Sequence, residues 1–241
     1  MNRKGLKTFV ASVVSAVFIL TSANGALAST SPAVNQESAV SLTKKFVQTE
    51  DHAAAWNSFT ESQKAEVKNF ISTYKTATVQ DSSSFASQKV EIEKNLNENE
   101  KLATLAYFTP INTNTEVVKE GTSPASALTA SATVTYKWVE LESNASNVFG
   151  QVLWRWFHKT YWGYDGEKVS DVRIEYWPAV EGILWSYVEL MDKDVKVSPQ
   201  STFATTYSQG HFKFHVSIVD VQHAYPRIGI TIKNDGTWTR D

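Results

Sequence analysis

The stretch 210–218 constrains the fold more than any other part of the chain. Phe212, Phe214, Val216 and Ile218 alternate strictly with His211, Lys213, His215 and Ser217. Side chains two apart share one face of a strand, so the pattern describes a strand with one face on an apolar core and the other toward water. A helix would scatter the same residues around its circumference. Ile228, Ile230 and Ile232 repeat the alternation, and Asn234-Asp235-Gly236 supplies a tight turn before Trp238. Residues 134–141, 152–162, 172–176 and 183–190 read as further strands. Asp165-Gly166 marks a hairpin turn, and Pro178 with Glu181-Gly182 marks a turn between strands. Six or seven strands at this spacing predict an antiparallel β-sandwich over 133–241. The polar segment 198–209 reads as a long loop or edge strand.

The preceding part has a different period. Val40, Phe46 and Val47 recur with helical spacing, and 51–59 reads as a short helix carrying Trp56. Thr60-Glu61-Ser62-Gln63 is a capping box, followed by a stripe of Ala65, Val67, Phe70, Ile71 and Tyr74. Residues 85–108 fit either a helix or a hairpin in which Val90 and Ile92 pair with 102–108; the hairpin is the expectation. Residues 109–132, with Pro110, Pro124 and many Thr, Ser, Asn and Ala, have the composition of a linker. The predicted class is α+β: a mainly helical region at 29–108, a linker at 109–132 and the sandwich at 133–241.

Residues 1–28 read as a cleavable secretory signal. Arg3, Lys4 and Lys7 precede an apolar run over 8–20, and Ala26-Leu27-Ala28 places small residues before a cleavage point at Ser29. The run is shorter than the roughly 20 apolar residues of a spanning helix. The expectation is a secreted, extracellular protein with no integral membrane anchor after cleavage. The signal carries three of the 23 basic residues and none of the 25 acidic ones, which leaves 20 against 25 and a net charge of −5. An acidic chain argues against nucleic acid as a partner. The chain has no Cys, which excludes disulfides, thiol catalysis and thiolate metal sites.

Aromatic density is the feature that points to function. Seven of the eight Trp fall within 133–241. In the strand 152–162, Trp154, Trp156, His158 and Trp162 share one face, while Arg155, Phe157, Lys159 and Tyr161 share the other. Two aromatic faces cannot both enter one two-layer core, so some rings are expected to meet solvent or a partner. The candidate ligand-binding residues are Trp154, Trp156, His158, Trp162, Tyr164 and Trp185. No catalytic residue, metal site or cofactor is expected. His211 and His215 share the spacing of a zinc-protease pair, but four residues of strand span about 13 Å, too far for one ion. His52 reads as a surface residue. No Gly-x-Ser-x-Gly elbow occurs, and Asp165-Gly166 and Asp235-Gly236 lack the rest of a calcium loop.

Lys159-Thr160-Tyr161-Trp162-Gly163-Tyr164-Asp165-Gly166-Glu167-Lys168-Val169, with Gly210-His211-Phe212 and Tyr225-Pro226-Arg227-Ile228, resembles exported β-sandwich proteins of Gram-positive bacteria to which no activity is assigned. The resemblance covers 133–241. It implies the compartment and the β class, and no catalytic residue. The expected function is non-enzymatic binding of a cell-surface glycan or protein. The alternatives are an extracellular hydrolase with a site assembled from separate strands, and a toxin or antimicrobial protein with an N-terminal pro-region.

Overall fold

A computed structural model describes residues 36–78, 96–123, 134–182, 184–216 and 219–241. Residues 1–28, read as a signal, Val90 with Ile92, residues 124–132 of the expected linker, and Ser217 with Ile218 lie outside the described residues. Among those described, the helices are α1 (Gln36–Gln48), α2 (His52–Ser58), α3 (Glu61–Thr78) and α4 (Glu98–Phe108). The strands are β1 (Asn112–Ser123), β2 (Thr135–Ser146), β3 (Val152–Tyr164), β4 (Val169–Val180), β5 (Trp185–Val197), β6 (Phe203–Val216), β7 (Val219–Ala224), β8 (Arg227–Lys233) and β9 (Trp238–Arg240).

Side-chain caps set where the helices begin. The Thr60 hydroxyl accepts from Gln63 N–H at 3.2 Å, and Gln63 Oε1 accepts from Thr60 N–H at 2.9 Å, which starts α3 at the box read from the sequence. Asp51 caps α2 by accepting from Ala54 N–H. Along α3, Val67, Phe70 and Ile71 are buried with Phe46 of α1, Trp56 of α2 and Leu102, Ala103 and Ala106 of α4. Residues 98–108 are therefore helix, and the hairpin expectation is corrected. A second capping box explains it: Asn97 Oδ1 accepts from Asn99 and Glu100 N–H, and Glu100 Oε2 accepts from Asn97 N–H at 2.7 Å.

The linker expectation is also corrected over 112–123. There the chain forms β1, paired antiparallel with β2 from Asn112↔Ser146 to Ser123↔Tyr136. The strand lies at the sheet edge and is largely exposed, so backbone pairing forms it rather than burial. That is why its apolar pattern is silent.

The strands form two packed antiparallel sheets, in the orders β1-β2-β3-β4 and β5-β6-β8-β9, with β7 also on β6. The chain crosses between sheets after β4, where the N–H groups of Glu181 and Gly182 both donate to the Leu153 carbonyl. Pro178 does not break β4. It sits within this edge strand, where a missing N–H is tolerated. Nor is 203–209 a loop or an edge: it is the first half of β6, paired with β5 on one side and β8 on the other. Its Ala204, Thr206 and Ser208 face inward and its polar partners are satisfied inside the core, so hydropathy alone misreads it.

The core between the sheets holds Val139, Leu141, Ala145, Leu153, Trp154, Trp156, Phe212, Phe214, Ile228, Ile230 and Ile232. The inward register of β6 and β8 is the one the alternation predicts. In β3, Leu153 is an extra residue between partners Trp154↔Ala145 and Val152↔Ser146. This bulge lets consecutive Leu153 and Trp154 both turn inward. The described residues group as one compact unit. Phe108 of α4 belongs to the sandwich core, and its carbonyl accepts from Trp185 Nε1 at 3.0 Å. Gln222 Nε2 donates to Thr109 Oγ1 and lies 3.1 Å from His52 Nε2, so His52 is half-buried rather than free on the surface. Among the described residues, no helix is long and apolar enough to cross a membrane.

Candidate functional site

The structure places five of the six sequence-predicted binding residues in the core. Trp154, Trp156, His158, Trp162 and Trp185 each expose 3% or less of their surface, and they offer no ring to a ligand. Trp154 stacks on Phe212 at 5.1 Å, and Trp156 lies between Tyr176 and Tyr187. Gly210 lets the Trp156 ring approach the β6 backbone: a Cβ there would lie 2.8 Å from Trp156 Cε3. Tyr164 is half-buried, packed on Gly236 with Lys137 Nζ 5.3 Å from its ring centre. The reason for the correction is register. Even-numbered β3 residues from 154 to 162 meet the inward residues of β6, so the face richest in Trp becomes the core.

His158 is the polar centre of that core. Its Nδ1 lies 2.8 Å from Ser208 Oγ, and its Nε2 lies 2.9 Å from Thr160 Oγ1 and 3.2 Å from Thr206 Oγ1. Trp156 Nε1 donates to Ser208 Oγ at 3.2 Å. With that proton arriving, Ser208 gives its own proton to Nδ1, and the Nε2–H tautomer donates toward Thr160. Both ring nitrogens are satisfied in this neutral form. Burial pushes the His158 pKa down to about 4. The serine–histidine contact has the distance of a nucleophile and its base, but both residues are wholly buried, so no substrate reaches it. The cluster links the two sheets.

The aromatic residues that do face outward lie on the opposite side of the same strand. Register rows across β2, β3 and β4 bring together Trp138, Tyr161 and Arg173, then Glu140, Lys159 and Glu175, then Glu142, Phe157 and Trp177. Phe157 stacks on Trp177 at 5.1 Å with planes 10° apart. Lys159 Nζ lies 4.2 Å from the Trp138 ring centre and 5.0 Å from that of Tyr161, and the Arg173 guanidinium lies 4.7 Å from Tyr161. Tyr161 donates to Glu175 at 3.0 Å, and Lys159 pairs with Glu140 at 3.7 Å. Burial works against the Lys159 charge, but Tyr161, Glu140 and Glu175 outweigh it and hold its pKa above the usual lysine range. Trp138 also covers Gly121 of β1, where a Cβ would lie 3.0 Å from the indole. The four rings are half-buried. They form a fixed surface of alternating aromatic and charged groups.

The outer face of the other sheet carries a second cluster. His211 of β6 and His223 of β7 meet with Nε2 and Nδ1 2.9 Å apart, and the Tyr225 ring stacks on His211 at 4.7 Å. His215 is not His211's partner. The pair is built across strands, through the register Lys213↔His223, which the sequence spacing could not show.

No protein-family model matches the chain, and comparison with curated proteins and with solved structures likewise finds no match.

Proposed function

We propose that the chain is an exported, non-enzymatic binding protein that contacts a cell-surface protein through the outer face of β2, β3 and β4. The observation that carries this reading is the preorganised row of Trp138, Phe157, Tyr161 and Trp177 with Lys159 and Arg173 among them. Aromatic and Arg side chains dominate the energetics of protein interfaces, and rings already held in place lose little entropy on contact. The ring faces count against sugar stacking: Trp138 lies between Gly121 and Lys159, Tyr161 carries two cations, and Phe157 is covered by Trp177. A glycan partner would need an open ring face.

Two other readings lose ground. The buried Ser208–His158 contact offers a hydrolase no access. A removable pro-region fits poorly with α4 and β1, because Phe108 fills the sandwich core and β1 pairs along β2. The test compares the exported chain with a Tyr161→Ala/Trp177→Ala variant for binding to protein and glycan fractions of the producing cell surface. Saturable binding to the protein fraction, weakened tenfold or more in the variant, is the expected result. Equal binding by both chains refutes the assignment of this face, and binding confined to the glycan fraction refutes the choice of partner.

A further inference from the structure

We propose that His211 and His223 form a two-histidine site for a borderline divalent cation such as Zn2+, on the sheet face opposite the proposed docking surface and independent of it. The ring centres lie 5.1 Å apart with planes 24° apart, while Nε2 of His211 and Nδ1 of His223 are 2.9 Å apart. That combination is an edge-to-edge approach with the two nitrogens aimed at one another. A shared proton fits between nitrogens this close, and a metal ion fits once they part and the rings turn.

Glu189 is the carboxylate that faces the far side of His211. Its Oε1 lies 3.9 Å from His211 Nδ1, and Nδ1 is buried with no hydrogen-bond partner among the described residues. A proton on Nδ1 faces the carboxylate favourably, whereas a lone pair there would be repelled. Nε2 is then left as a lone pair toward His223. A carboxylate drawn within hydrogen-bonding range of such a nitrogen orients histidine ligands in zinc sites. Without metal, His223 donates its Nδ1 proton to His211 Nε2. On binding, that proton moves to the other ring nitrogen of His223, which frees Nδ1 as a ligand. Zinc–nitrogen bonds of about 2.0–2.1 Å in a tetrahedral site place ligand nitrogens roughly 3.4 Å apart. The pair must open by about 0.5 Å and the rings must turn. His223 is exposed and can do so, while stacking on Tyr225 holds His211. No group of three His, Asp or Glu is arranged around a metal among the described residues, so water completes the sphere and the affinity is that of a two-ligand site. Lys213, opposite His223 in register, opposes a cation and weakens it further.

The test is calorimetric titration of the exported chain with Zn2+ at neutral pH, beside His211→Asn, His223→Gln, Glu189→Gln and His215→Asn variants. The expected result is one Zn2+ per chain at micromolar concentration, weakened at least tenfold in both pair variants and several-fold in Glu189→Gln. The His215→Asn variant should bind as the parent does. Circular dichroism without metal verifies that each variant folds. Absence of binding below millimolar Zn2+ overturns the proposal, as does undiminished binding by a folded His211→Asn or His223→Gln chain.

Discussion

At the scale of single residues, His158 couples the fold to acidity. Its folded pKa is about 4, against 6.5 for an ordinary histidine. Between those values the unfolded chain binds a proton that the folded chain refuses, so stability falls as pH drops from about 6.5 to about 4 and this contribution is constant above and below. A gap of that size corresponds to about 3 kcal/mol. Urea midpoints measured across that window should fall more steeply for the parent chain than for a His158→Gln variant. Parallel pH profiles would contradict the assignment. The same residue shows what sequence could and could not reveal. Its place on a face with Trp154 and Trp156 was legible from the period of two. Whether that face is core or surface was not, because β3 carries rings on both sides and only the partner strand decides between them. Ser208 and Thr206, the residues that satisfy His158, lie in β6, about 50 positions away. Their polarity made 203–209 look like a loop.

At the scale of elements, local chemistry was readable wherever side chains cap or alternate. The Thr60 box, the β6 and β8 alternation and the Gly166 and Gly236 turns, both at positive φ, all formed as their residues dictate. The start of α4 was equally available: Asn97-Glu98-Asn99-Glu100 is a capping box, and it outweighs the short apolar run that suggested a hairpin. Replacing Asn97 with Ala should cost about 1 kcal/mol, read as a drop in urea midpoint, and Asn97→Ser should recover most of it. Equal stability of the Ala and parent chains would show that packing alone holds α4. β1 is the opposite case. Its Thr- and Asn-rich composition says nothing of strand, because pairing to β2 supplies the stabilisation and an edge strand needs no apolar face. Val118 of β1 and Val188 and Met191 of β5 are exposed at register shifts in edge strands, where bulges disrupt the flat edge that would invite another strand.

At the scale of the whole molecule, the helices and sheets meet at α4. Phe108 sits among the sandwich residues and Trp185 donates to its carbonyl. Gln222 bridges to Thr109 and meets His52. A chain beginning at residue 133 lacks α4, β1 and the cover they give the core. It should lose the cooperative unfolding transition of the longer chain or precipitate, as followed by near-ultraviolet circular dichroism during denaturation. A soluble 133–241 fragment with an unchanged transition would show that the sandwich stands alone and would restore the pro-region reading. No Cys is present to compensate for lost packing, so the interlocking of rings in the core, rather than cross-links, holds the fold together. Most of the tryptophans serve that end, and the outer row on β2, β3 and β4 is the one to which we assign the proposed recognition. The most direct measurement is equilibrium binding of the chain from residue 29 onward to isolated cell-surface protein, with Tyr161→Ala/Trp177→Ala compared against the parent after both are shown to be folded. A loss of at least tenfold in affinity is the predicted result; unchanged affinity would contradict the account.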